Sequence, residues 1–138
     1  MIQRIQTLYL VLAALLLALF VGLAGGWVGA IAADSAWLGT LGYALAVVTA
    51  VVALVAVGLY KNRALQRRVI YAAQWLDLAL VVVVLAGLFV VTDPDAPTAP
   101  VGLYLVALQP IAAYVFLRLA RQRVTADIEV VKSMDRLR

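Results

Sequence analysis

The chain alternates between long apolar stretches and short polar segments, and this pattern predicts four membrane-spanning helices. The apolar stretches cover residues 5–33, 41–60, 69–91 and 101–117, and the polar tail covers 118–138. A helix needs about 20 residues to cross a hydrocarbon core of about 30 Å. The first stretch exceeds that length, which predicts a tilted helix or a frayed outer end. It is also longer than the apolar part of a signal peptide, so we interpret it as an uncleaved anchor.

The connections between the stretches differ in charge. The first, 34–39, carries one acid and is flanked by Trp27 and Trp37, which is typical of aromatic side chains at headgroup depth. The second, 61–68, is cationic. The third, 92–100, contains three prolines with Asp93 and Asp95, and it predicts an irregular solvated loop.

The distribution of cations predicts the orientation. All eleven Lys and Arg residues fall into three segments: Arg4, the connection 61–68 and the tail from Arg118 onward. The four spans place these segments on one side of the membrane. Because cytoplasmic loops carry an excess of Lys and Arg, both termini are predicted to be cytoplasmic.

Composition agrees with a single membrane domain over residues 1–138. The chain is 67% hydrophobic and 13% charged, with a mean hydropathy of +1.07, far outside the soluble range. The net charge of +4 does not indicate nucleic-acid binding, since every cation lies close to a span. We predict an all-α, integral membrane four-helix bundle.

Residue types limit the chemistry. The sequence has no Cys and no His, which excludes thiol and imidazole catalysis and most zinc, haem and iron–sulfur sites. It also lacks paired carboxylates within a span and a glycine-rich phosphate loop followed by Lys. We therefore predict that the protein is not an enzyme and binds no cofactor or metal.

The tail predicts an amphipathic helix. Val124, Ile128, Val131 and Met134 recur at helical spacing, while charged residues, Asp127 among them, occupy the other faces. The apolar stripe would rest on the inner leaflet, beside anionic headgroups, or would dock a partner protein.

Small residues repeat every four positions in two spans, which is typical of close helix packing. The second span carries Gly42, Ala46 and Ala50. We expect the first two spans to pack together through these faces, or the first face to contact a second copy or another subunit. The face in the first span consists of Ala14, Ala18, Gly22, Gly26 and Ala30.

Asp77 is the one ionisable residue well inside a predicted span. A carboxylate there is costly, so it should face the bundle interior. Gln74 lies three residues before it, and Gln109 precedes the helix-kinking Pro110 in the fourth span. These three residues are a candidate site for a proton or a polar solute, and the alternative is an interhelical hydrogen bond that fixes packing.

Three segments carry a family resemblance: Met1 to Thr7, Lys61 to Gln66, and Val131 to Arg138. In order and position they resemble the DUF4293 family, small four-span membrane proteins of Bacteroidetes-type bacteria whose function is uncharacterised. Where that family usually has Ser-Ala-Asp-Arg, this chain has Ser-Met-Asp-Arg from Ser133. The resemblance implies the topology and a bacterial inner-membrane location, without an activity.

All three segments are predicted to lie in the cytoplasm, and they define a candidate contact surface. We expect an accessory, assembly or scaffold protein that docks a membrane protein partner or a second copy there. The alternative is a minor transporter or proton-conducting element centred on Asp77. The candidate contact residues are Arg4, Lys61, Asn62, Arg63, Gln66, Arg67, Arg68, Lys132, Asp135 and Arg136.

Overall fold

The computed structural model describes the backbone of residues 2–91 and 101–136 and the side chains of 5–25, 35–89 and 101–134. The described backbone is helical except for the turn at 59–62 and the kink at Ser35. Three helices follow in order: α1 (Ile2–Gly58), α2 (Arg63–Val91) and α3 (Val101–Arg136). Within α1, Ser35 has non-helical backbone angles (φ −153°, ψ 65°) and divides it into a first arm (2–34) and a second arm (36–58). Four segments are long and apolar enough to cross a membrane: Ile5–Gly25, Ser35–Gly58, Arg63–Phe89 and Val101–Met134.

The all-α prediction with four apolar helices is therefore confirmed, while two predicted connections are shorter than expected. In place of a turn over 34–39, the structure departs from helical geometry at Ser35, and the helix continues from residue 36. No proline interrupts residues 36–41, and the Thr40 hydroxyl donates to the Ala36 carbonyl oxygen at 3.1 Å. Most of the predicted connection 61–68 is the first part of α2, because that helix begins at Arg63. The predicted loop 92–100, with Asp93 and Asp95, lies outside the described residues.

Each helical segment buries residues at alternating spacings of four and three, the pattern of antiparallel helix bundles. We call these rows the seams. Alanine is the commonest apolar residue in them, which lets the helices approach closely and gain van der Waals contact. The seam positions are 6, 10, 13, 17, 20 and 24 in the first arm, 42, 46, 49, 53 and 56 in the second arm, 66, 70, 73, 77, 80, 84 and 87 in α2, and 113, 117, 120, 124 and 127 in α3.

The seams correct the predicted packing face of the first arm. Ala14 is buried, but Ala18 and Gly22 are exposed on the outside of the bundle. A Cβ added to Gly22 would have no atom within 4 Å. The physical reason is that the buried positions follow the 4,3 spacing of the seam, whereas a strict four-residue repeat drifts around the helix. The burial of Gly26 and Ala30 lies outside the described part of the structure.

In the second arm the predicted face does lie inward. Gly42 and Ala46 are buried and Ala50 is half-buried. Thr49 shares this seam, and its hydroxyl donates to the Leu45 carbonyl oxygen at 2.7 Å. A hydroxyl bonded within its own helix leaves no unpaired donor in the apolar interior.

Contacts between distant residues show that the four segments run up and down. Gln6 and Arg63 both contact Asp127, so the start of the first arm, the start of α2 and the far part of α3 lie at one end. We call this the charged end. Tyr9 packs on Phe116 with ring centroids 6.2 Å apart, which places the first arm beside α3.

Candidate functional site

A buried hydrogen bond joins the two ends of the sequence at the charged end. Gln6 Nε2 donates to Asp127 Oδ2 at 2.8 Å, and the two side chains are 4% and 7% exposed. Gln6 begins the seam of the first arm, and Asp127 is the last buried residue of the α3 seam. A hydrogen bond to a charged acceptor contributes more than one between neutral groups. This bond therefore fixes α3 against the first arm.

Arg63 brings the connection between the second arm and α2 into the same cluster. Its Nη1 lies 3.7 Å from the oxygen that Gln6 contacts, and its side chain is 34% exposed. At that exposure and distance the ion pair adds modestly to stability. Gln6, Arg63 and Asp127 together form a cluster that we call the end cluster. Each comes from a different helix, so the cluster closes the bundle at this end.

The residues next to Arg63 build the connection itself. Asn62 is the N-cap of α2, since its Oδ1 accepts from the Leu65 backbone N–H at 3.1 Å. Gln66 is 2% exposed, and its Nε2 donates to the Ala56 carbonyl oxygen at 3.0 Å. That carbonyl belongs to the last turn of the second arm, where it has lost its i+4 helical partner and accepts a longer bond from the Leu59 backbone N–H at 3.3 Å. Both polar side chains thus stabilise the tight link between two helices.

The structure revises the membership of the candidate contact surface. Gln66 is buried, so its side chain is not available to a partner. Lys61, Arg67, Arg68 and Lys132 are exposed, so they remain candidates for contact with a partner. Asn62 is exposed but serves as the cap. The side chains of Arg4, Asp135 and Arg136 lie outside the described residues.

Asp127 is the member of the end cluster whose buried position sequence reasoning missed. The apolar stripe 124, 128, 131, 134 placed it on the charged face of the tail, whereas the bundle buries it. A signal was present: positions 113, 117, 120, 124 and 127 continue one 4,3 seam from the fourth span into the tail. A bundle that extends past the apolar run puts a polar residue at the next seam position.

The predicted tail stripe is divided between two environments. Val124 is fully buried and Ile128 packs against the core. Val131 and Met134 are 43% and 58% exposed. Val124 and Ile128 therefore pack within the bundle, whereas Val131 and Met134 are exposed on the part of α3 beyond Asp127.

A groove runs along this exposed part of α3. It has a volume of about 480 Å³ and lies between the connection after the second arm and α3. Its floor includes Ile128 and Val131, and three cations surround it: Lys61, Arg63 and Lys132. We call it the tail groove. An apolar floor with a cationic rim fits an amphipathic segment that carries acids.

The interior of the bundle contains a second polar region. Asp77 is fully buried in the α2 seam, which confirms that it faces the bundle interior. Within the described part of the chain, neither of its carboxylate oxygens has a hydrogen-bond partner. The amide oxygens of Gln74 and Gln109 are likewise buried without one. The interhelical hydrogen bond considered for Asp77 is thus not formed among these residues.

The register between α2 and α3 places Gln109 away from Asp77. Arg121 lies over the ring of Tyr71, with Cζ 5.3 Å from the centroid. From that contact Asp77 is six residues further along α2, while Gln109 is twelve residues back along α3. At helical rise they differ by roughly 9 Å along the bundle. The predicted three-residue site is therefore reduced to Gln74 and Asp77, one turn apart on α2.

Four apolar helices of spanning length, with the cations of the described residues gathered at one end, indicate a multi-pass α-helical membrane protein. The chain belongs to the DUF4293 family, a domain of unknown function whose model matches residues 2–137. This match confirms the resemblance seen in the sequence. No protein of curated function and no solved structure matches the chain.

Proposed function

We propose that this protein is an accessory, assembly or scaffold component of a bacterial inner membrane, with both termini cytoplasmic, and that it docks a partner protein in the tail groove. The position of the cations at the charged end supports this orientation by the positive-inside bias. The partner would present an amphipathic segment with acids facing Lys61 and Lys132.

The observation that carries the proposal is the continuity of α3. This helix runs without interruption from Pro110 to Arg136, about 39 Å at helical rise. A tail lying flat on the inner leaflet would require a break after the span, and the helix has none. The exposed Val131 and Met134 therefore project past the bundle, where they can contact a protein.

The end cluster adds a structural reason for docking at this site. It binds the start of the first arm, the start of α2 and α3 to one another through Asp127. The walls of the tail groove, which come from two helices, are thereby held in fixed relation. A preformed groove loses less conformational entropy on binding than a flexible tail.

Two adjacent valines provide a matched test. Val131 lines the tail groove and Val130 does not, although both are exposed (43% and 53%). The protein would be extracted at native level into nanodiscs, and co-purifying proteins quantified by mass spectrometry for Val131→Ser, Val130→Ser and the unaltered chain. The proposal expects a stoichiometric partner that is depleted with Val131→Ser alone. A chain that purifies without a partner, or equal recovery with both variants, would contradict it.

A second function is favoured by Asp77: a minor transporter or proton-conducting element. The supporting observation is the pair of buried, unpartnered carboxylate oxygens beside the unpartnered Gln74 amide oxygen. A residue retained only for packing would be expected to hydrogen-bond a neighbouring helix. Proton or solute flux would be measured in liposomes for the unaltered protein and Asp77→Asn. Flux lost in a folded variant supports this function, and the absence of flux in both contradicts it.

A further inference from the structure

A second groove, between α2 and α3, is formed by residues outside the end cluster and the tail groove. It has a volume of about 630 Å³, and its lining includes Arg67, Arg68, Arg121, Tyr71 and Gln122. One acid, Glu129, also lines it. The three arginines thus leave an excess of positive charge. In the described part of the chain none of them forms an ion pair with an acid.

A mostly apolar cavity continues from this groove along α2 and α3, away from the charged end. It measures about 190 Å³ and shares Tyr71 and Arg121 with the cationic groove. Its other lining residues are the apolar or aromatic Trp75, Leu78 and Tyr114 and one amide, Gln74. Trp75 and Leu78 follow Tyr71 along α2, and Tyr114 precedes Arg121 along the antiparallel α3. Both helices therefore pass from charged to apolar lining in the same direction.

Aromatic contacts order the junction between the two cavities. The Arg121 guanidinium lies over the Tyr71 ring, with 5.3 Å between Cζ and the centroid. Tyr71 and Trp75 meet edge to face with centroids 6.1 Å apart. Tyr71, Trp75 and Leu78 are 48%, 58% and 38% exposed on the outside of the bundle. The apolar part of the site thus faces the lipid.

We propose that this paired cavity is a binding site for one anionic phospholipid, with the headgroup phosphate among Arg67, Arg68 and Arg121 and an acyl chain against Trp75 and Leu78. Guanidinium groups bind phosphate oxygens in a bidentate manner, and basic pockets between spans at the cytoplasmic face suit anionic headgroups. A free anion would use the arginines alone. The adjoining lipid-facing apolar cavity favours a phospholipid. The inference does not depend on docking in the tail groove.

Trp75 can report the acyl chain directly, because the chain has three tryptophans and the other two, Trp27 and Trp37, can be replaced by Phe. The protein in this background would be placed in vesicles of phosphatidylcholine with a minor fraction of nitroxide-labelled phosphatidylglycerol or nitroxide-labelled phosphatidylcholine. Quenching of Trp75 should be stronger for the phosphatidylglycerol probe. Equal quenching by the two probes would overturn the proposal.

Two double variants that remove the same charge distinguish binding in the groove from attraction by the positive charge of the whole surface. Arg67→Gln with Arg121→Gln removes two cations from the groove. Arg118→Gln with Arg123→Gln removes two from the same end of the bundle outside it. We expect the groove variant to lose the preference for phosphatidylglycerol by roughly tenfold, and the control variant to retain most of it. Equal losses in both would show attraction by net charge alone and would overturn the site.

Competition with glycerol phosphate distinguishes the source of the phosphate. Glycerol phosphate at millimolar concentration should leave the quenching unchanged, because it has no acyl chain to occupy the apolar cavity. Complete displacement would assign the groove to a soluble anion and would also overturn the proposal. Circular dichroism of each variant checks that the helices are retained, which we expect since Arg67 is exposed and Arg121 half-buried.

Discussion

The two polar regions of this bundle both lie in the buried seams, but they differ in the hydrogen bonds that their side chains form. At the charged end, Gln6 and Asp127 are buried and bonded to each other. In the interior, Asp77 is equally buried, and within the described residues its carboxylate has no partner. A paired buried group stabilises a fold, whereas an unpaired one costs free energy. The end cluster therefore contributes to the stability of the bundle, whereas the buried carboxylate of Asp77 lowers it.

Removing the acid of the end cluster should have the largest effect. Asp127→Ala leaves the buried Gln6 amide without its acceptor, and we expect a loss of about 2–3 kcal/mol in the free energy of unfolding. Asp127→Asn keeps an acceptor oxygen and should lose less. Unfolding in a denaturing detergent would measure both. Glu129→Ala, an exposed acid two residues away, should change stability by less than about 0.5 kcal/mol. If Asp127→Ala changes stability as little as Glu129→Ala does, the end cluster does not stabilise the bundle.

An apolar substitution of Asp77 should raise the free energy of unfolding instead of lowering it. Asp77→Leu removes two unpaired buried oxygens and fills a similar volume with apolar atoms, so we expect a gain of about 1–2 kcal/mol. The same unfolding assay applies. If Asp77→Leu destabilises the bundle as much as Asp127→Ala, then Asp77 has an interhelical partner and the contrast between the two regions fails.

Gln66 forms a buried hydrogen bond between neutral groups at the charged end, which can be compared with the bond to Asp127. Gln66→Ala removes the donor to the Ala56 carbonyl and should cost about 1 kcal/mol, less than Asp127→Ala because neither group is charged. Gln66→Glu tests the geometry, since a carboxylate cannot donate to that carbonyl and should lose at least as much. Stability unchanged in both variants would show that the connection does not depend on this bond.

Gly22 lies apart from both polar regions and should show the smallest change. An added Cβ meets no atom within 4 Å, and Ala has a higher helix propensity than Gly. Gly22→Ala should therefore leave stability unchanged or raise it by up to about 1 kcal/mol. A clear loss, with a change in oligomeric state on a sizing column, would instead mean that a second copy packs on this face.

Hydropathy and charge are sufficient to predict the four helices and the interior position of Asp77, because the cost of placing polar groups in lipid is large and local in sequence. The faces of the helices are harder to predict. In spans rich in alanine, small residues occur on every side, so the repeat through Ala18 and Gly22 does not identify the face that packs within the bundle. The apolar stripe of the tail predicts that Asp127 lies on the charged face. That prediction is wrong because the bundle's seam continues beyond the apolar run and buries Asp127.

Pairing between Gln6 and Asp127 could not be read from the sequence, since 121 residues separate them and register depends on packing of all four segments. The hydrogen bond of Gln66 likewise depends on how closely the second arm approaches α2. In both cases the residue type suggested a polar contact, and the tertiary structure determined the partner.

A double-mutant cycle on Gln6→Ala and Asp127→Ala tests the closure of the bundle most directly. If the buried bond joins the ends of the sequence, the two losses of stability will be non-additive, with a coupling free energy of about 1–3 kcal/mol. If the losses add to within about 0.3 kcal/mol, the two side chains do not interact, and the end cluster does not close the bundle.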